Sequence, residues 1–173
     1  DLSNIKNVIR MKISDRRGFL LYGTVGVGKT YLLAYKANQF AREGHKVCFV
    51  NFNRLLNELK QTFSQKDDDY FNKLMVQLKN CEFLVLDDIG AESVTAWSRD
   101  EILFQILDYR MENEKLTCFT SNLNQSQLHQ HFSKIGQTMD EVGVVRLMER
   151  INVLSEFVLI ASSEKSLRRT QLK

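Results

Sequence analysis

A chain of 173 residues and 20.2 kDa has room for one domain of ordinary size and not for two. Hydrophobic residues make up 43% and charged residues 26%, a globular composition and not a disordered one. The formal charge is +3, but residues 1–17 and 162–173 each carry +3 and the stretch between them −3, so a uniformly basic nucleic-acid coat is excluded while basic ends remain.

In chain order, a basic lead-in (1–17) precedes an α/β core (18–161) and a basic tail (162–173). Residues 18–22 (GFLLY) read as a buried strand that stops at Gly23. Leu32, Leu33, Ala37, Phe40 and Ala41 recur at helical spacing over 29–42, and Gly44 supplies a stop. A second strand is expected at 46–51 (KVCFVN), then a polar, helix-leaning stretch over 53–80, broken near Asp67 into two helices. Residues 82–86 (EFLVL) form a third strand, and 98–112 a helix for which Ser98 and Glu101 predict a capping box. A fourth strand at 116–120, helices at 124–132 and 141–154, and a fifth strand at 156–161 complete the pattern. Strands regularly separated by helices predict one α/β sandwich, a five-stranded parallel sheet covered on both faces.

No apolar run reaches the roughly 18 residues of a membrane span. The chain begins at Asp1 without an initiator Met or a signal-like segment, and reads as a domain cut from a longer cytoplasmic protein. Cys48, Cys81 and Cys118 are odd in number and form no C-x-x-C pair, so buried free thiols are expected in place of a disulfide framework. His129 and His131 are two apart and point to different sides of a helix, so no zinc site is expected.

Gly23-Thr24-Val25-Gly26-Val27-Gly28-Lys29-Thr30 matches G-x-x-x-x-G-K-[ST] between a predicted strand and a predicted helix. A chain that wraps a phosphate needs glycine, because side chains would block the approach and left-handed dihedrals are costly for other residues. The freed N–H groups then converge on the anion at the positive end of the following helix. Lys29 would reach the β- and γ-phosphates, and the Thr30 hydroxyl would ligate Mg²⁺.

The third strand delivers Asp87 and Asp88 at its carboxyl end, where ligands bind in doubly wound sheets. Asp87 would hold Mg²⁺, and Asp88 would orient or deprotonate an attacking water. Asn122, after the fourth strand, is open to two readings: a bond to the γ-phosphate or its water, or a helix cap.

LYGTVGVGKTYLLAYKANQF, FLVLDDIGAE, SRDEILFQILDYRM, CFTSN and RLMERI resemble the AAA+ ATPases, and within them the bacterial primosomal helicase loaders of the DnaC/DnaI type, closest to those of Gram-positive bacteria. The resemblance runs from about Gly18 to Arg169. It implies a P-loop sandwich in which residues Gly23 to Thr30 are the Walker A loop, Asp87-Asp88 the Walker B pair and Asn122 sensor 1. It also implies an arginine finger at Arg150, with Arg146 second, reaching a neighbouring subunit's nucleotide, and sensor 2 at Arg168, with Arg169 one residue on. Asp88 stands where most of the family has Glu, which suits slow hydrolysis, and the stretch after the finger helix is short for a helical lid.

A finger acting in trans implies head-to-tail self-association into a ring or spiral. The implied work is placing a hexameric replicative helicase on single-stranded DNA, with a separate N-terminal domain, absent here, gripping the helicase. For the DNA, residues 53–80 offer Arg54, Lys60, Lys66 and Lys73, with Phe52, Phe63, Tyr70 and Phe71, although helical spacing also makes those aromatics core candidates. A transposition helper ATPase shares the same engine. A nucleotide-gated binding module without turnover and a small nucleotide kinase are further readings. Against the kinase stand the tandem carboxylates and the lack of an arginine-rich lid.

Overall fold

The computed structural model describes residues 2–65 and 68–161, so Lys66 and the tail with Arg168 and Arg169 lie outside the described residues. Strands β1 (Gly18–Tyr22), β2 (Val47–Asn51), β3 (Phe83–Asp87), β4 (Leu116–Ser121) and β7 (Ser155–Leu159) form one parallel sheet in the order β2-β3-β4-β1-β7. Successive strand residues face opposite layers, so each strand feeds two cores. Leu20, Leu84, Leu86 and Phe119 point to one side, while Leu21, Phe83, Val85 and Cys118 point to the other. A fully buried Leu or Phe contributes about 1.5–3 kcal/mol, so the alternation sets the register.

Helix α2 (Lys29–Arg42) covers the second side with Leu33, Ala37 and Phe40. It is joined there by α1 (Leu2–Arg10), where the sequence reading saw only a basic lead-in. Ile5, Val8 and Met11 recur every third residue and pack into this layer, and Lys36 Nζ donates to the Ile9 carbonyl at 3.0 Å. The cationic residues hid that apolar stripe. Helices α3 (Phe52–Gln65), α4 (Asp68–Asn80), α5 (Phe104–Glu112), α6 (Gln125–Ser133) and α7 (Glu141–Leu154) lie with the first core.

Two expectations need correction. The helix expected at 98–112 starts as a π-helical stretch, Trp97–Leu103, before α5, and Ser98 is not its cap. Thr95 and Ser98 bond reciprocally instead: Ser98 N–H donates to Thr95 Oγ1 and Thr95 N–H to Ser98 Oγ, each at 3.0 Å. A complete capping box forms at α6, between Asn124 and Gln127. The segment before α7 also holds a short hairpin, β5 (Lys134–Ile135) and β6 (Thr138–Met139), turning at Gly136 with φ 60°.

Cys48, Cys81 and Cys118 are buried free thiols, as expected. No described helix is long and apolar enough to cross a membrane.

Candidate nucleotide site

The loop after β1 and the carboxyl ends of β3 and β4 enclose a cleft of about 260 Å³. A larger cavity, about 740 Å³ between Tyr22, Met148, Asn152 and Phe157, contains none of Gly23–Thr30, Asp87, Asp88 or Asn122, so size does not locate the chemistry. Gly26 (φ 83°) and Gly28 (φ 95°) hold left-handed backbone with open space around them. Their requirement is therefore conformational. Gly23 answers to space: a Cβ there would lie 2.2 Å from the Ile160 carbonyl oxygen.

Lys29, 7% exposed, donates from Nζ to the carbonyls of Gly23 and Thr24, each at 2.8 Å, and to Asn122 Oδ1 at 3.0 Å. Burial pulls its pKa below the ordinary lysine value, with Asp88 and Asp87 opposing. Thr30 Oγ1 donates to Asp87 Oδ1 at 2.8 Å. A hydroxyl and a carboxylate are the hard oxygen donors that suit Mg²⁺, which keeps much of its coordination for water and phosphate.

The Asp87 carboxylate also accepts from Thr120 Oγ1 at 2.7 Å, and that hydroxyl in turn accepts the Asp88 N–H at 2.8 Å. Asp88 has φ 61°, the left-handed region that a non-glycine residue rarely occupies. Ile89 N–H, donating to the Thr120 carbonyl at 3.0 Å, helps hold it there. Burial pushes the Asp88 carboxyl above the usual carboxylate range, Asp87 and Glu92 push the same way, and Lys29 opposes them. Such a carboxyl, beside the amide Nδ2 of Asn122 at 3.5 Å, can accept a proton from water.

Walker A residues, Asp87, Asp88 and Asn122 are thus brought together. Asn122 does not cap α6, whose cap is Asn124, and it lines the cleft. Arg150 lies elsewhere, on α7, bonded to Asp108 (2.9 Å) and Glu149 (2.6 Å), and shares the ring of Phe104 with Arg146. Helix α7 is held in place by buried Arg99, which donates to Asp140 at 2.5 Å and to the Phe132 carbonyl at 2.9 Å. A Cβ on Gly143 would lie 2.3 Å from that guanidinium.

Of the DNA-contact candidates, Phe52 is buried and Phe71 packs against the core. Tyr70 is 40% exposed and bonds Glu58. Lys73 pairs with Asp69 at 2.6 Å, and Lys60 lies over the Trp97 ring.

Two site residues carry no role in the sequence reading, which places Thr120 at this sheet edge without a partner. Thr120 was findable, because parallel pairing of Leu86 with Phe119 sets it beside Asp87. Glu92 gave no signal beyond its place in LDDIGAE. It is 4% exposed, and its Oε2 accepts the Gly90 N–H at 2.8 Å. Its buried Oε1 faces His131 Nε2 at 3.6 Å, and neither atom has a hydrogen-bond partner among the described residues.

The fold and the cleft define a P-loop nucleotide-binding domain of the AAA+ type. Residues 5–171 match the model of the IstB-like ATP binding proteins, and the chain belongs to that family. It is 39% identical over 141 residues to the replicative helicase loader DnaI of Bacillus subtilis, covering 80% of this chain and 44% of that protein. The chain thus spans less than half of that relative. A crystal structure of DnaI superposes with TM-score 0.77 at 34% identity, over 92% of this chain and 82% of the other. A crystal structure of the DnaC helicase loader gives 0.67 at 25% identity, over 92% and 87%.

Proposed function

We propose that this domain binds ATP with Mg²⁺ and hydrolyses it slowly, as the nucleotide-driven part of a cytoplasmic helicase loader that places a hexameric replicative helicase on single-stranded DNA. The observation that carries the reading is the hydrogen-bonded chain Thr30–Asp87–Thr120–Asp88, closed through Asn122 to Lys29. The similarity to a helicase loader at 39% identity supports the client.

Lys29 exchanges its loop carbonyls for phosphate oxygens, and the loop N–H groups take the remaining negative charge. Thr30 and Asp87 would hold Mg²⁺, which would draw charge from the phosphates. Asn122 and Asp88 orient a water in line with the γ-phosphorus. As the water oxygen bonds to phosphorus and the bond to ADP breaks, Asp88 accepts the water proton. Arg150 acts in trans, exchanging Asp108 for a neighbour's γ-phosphate in a head-to-tail ring or spiral. Arg168 serves as sensor 2.

Phosphate release is measured with and without single-stranded DNA across a protein-concentration series. Stimulation by DNA that grows with concentration supports the assembling loader. Flat turnover indifferent to DNA, or a requirement for a nucleoside monophosphate acceptor, overturns it. Arg150→Ala is expected to leave ATP affinity intact and to lower turnover about tenfold or more at high concentration. Equal loss at every concentration counts against action in trans.

A further inference from the structure

At the amino-terminal ends of β2 and β3, the sheet end opposite the phosphate loop, a cavity of about 380 Å³ is lined by Cys48, Cys81, Lys46, Gln77 and Asn80. Behind it lies Arg110, fully buried. Its Nη1 donates to the carbonyls of Leu78 (3.0 Å), Lys79 (3.3 Å) and Cys81 (2.8 Å), its Nη2 to Leu116 (2.7 Å) and its Nε to Thr117 Oγ1 (2.8 Å). No described carboxylate bonds it. A buried cation calls for a counter-charge, and the neighbouring groups able to carry one are thiols. Cys81 Sγ sits 3.5 Å from Nη1 and 3.7 Å from the Leu78 carbonyl oxygen. Cys48, which lines the same cavity, has its Sγ 3.9 Å from the carbonyl oxygen of the adjoining Gln77.

The three thiols are not equivalent. The neighbouring Cys48, then the charge of Arg110, draw Cys81 below the ordinary thiol value against the effect of burial. Cys81 and burial push Cys48 up, and burial pushes Cys118 up. The thiolate is the nucleophilic form of cysteine.

We propose that Cys81 is a thiolate held by Arg110 and that, with Cys48 as second thiol, it forms a dithiol oxidised by hydroperoxides entering this cavity. The Cys81 sulfur attacks one peroxide oxygen and the O–O bond breaks. The leaving oxygen takes a proton from solvent, giving an alcohol or water, and Cys81 becomes a sulfenic acid. The Cys48 sulfur then attacks the Cys81 sulfur. The S–O bond breaks, and the departing hydroxide takes the Cys48 proton as water. Two thiols lose two electrons in all, and one peroxide gains them. Because Arg110 binds the last carbonyls of α4 as well as Cys81, the bridge would act on the seat of that helix.

The test uses the native domain, limiting iodoacetamide and peptide mapping. Cys81 is expected to label about tenfold or more faster than Cys48 or Cys118 at neutral pH, its rate levelling off below the usual thiol value of about 8.5. Hydrogen peroxide is expected to join the Cys48 and Cys81 peptides with loss of two hydrogens. Cys48→Ser should stop at a Cys81 sulfenic acid that dimedone traps, and Cys81→Ser should remove the fast labelling. Slow, equal labelling of all three, a rate still climbing through the ordinary thiol range, or a wild-type sulfenic acid that never becomes a disulfide overturns the proposal. The wild-type pH profile needs no variant to fold.

Discussion

Two buried cations sit at opposite ends of one sheet, and each gives its protons mainly to backbone carbonyls. Lys29, at the carboxyl end, gives its three protons to two loop carbonyls and Asn122, with Asp87 and Asp88 within electrostatic reach. These are neutral oxygens that a phosphate can replace. Arg110, at the amino end, binds carbonyls in the last turn of α4, before β3 and at the start of β4. Helix-end carbonyls lack intrahelical donors, so the guanidinium satisfies backbone that would otherwise be orphaned. Burial and charge are alike at the two ends. The replaceability of the partners separates a binding group from a fastening.

The largest expected effect tests the fastening. Arg110→Ala should cost about 3–5 kcal/mol of stability, because it strips several buried acceptors of their donor at once. Urea unfolding measures this, and a loss below about 1 kcal/mol would remove the contrast. Lys29→Ala should leave unfolding nearly unchanged and weaken ATP binding by about 10–100-fold, the worth of about 1.5–3 kcal/mol for hydrogen bonds to a charged group. Unchanged ATP affinity in a titration would sink the phosphate-site assignment.

The two ends were also unequally legible in the sequence. The phosphate end announces itself, because backbone wrapping an anion demands glycine at fixed spacing and the strand before Asp87 is a continuous apolar run. Five strands and their parallel direction follow from the same alternation of short apolar runs with helical periods. Helix α1 was hidden because its apolar residues are thinly spaced among cations. At the π-helical start at Trp97, Thr95 and Ser98 bond each other, a local pairing three residues apart that stands in place of the cap expected from Ser98 and Glu101. Nothing local marks Arg110, a side chain whose partners lie around residues 78–81 and 116–117. Pairing across sequence is what short motifs omit.

The smallest expected effect probes the carboxylates facing Lys29. Asp88 titrates above the usual carboxylate range, first from burial, then from the charges of Asp87 and Glu92, with Lys29 pulling the other way. A proton acceptor must be ionised, so turnover should fall as pH drops through a value higher than that of an ordinary aspartate, about 3.9. Glu92→Gln removes one of the raising charges and keeps an oxygen for the Gly90 N–H, so the acidic limb should move to lower pH while ATP affinity stays near wild type. The same amide can donate to or accept from His131, which now faces an unbonded oxygen at 3.6 Å. A limb moving upward, or vanishing with ATP affinity intact, would mean that Glu92 acts through the backbone of Asp88–Gly90 and not through its charge. The φ of 61° at Asp88 would then be the feature that Glu92 maintains.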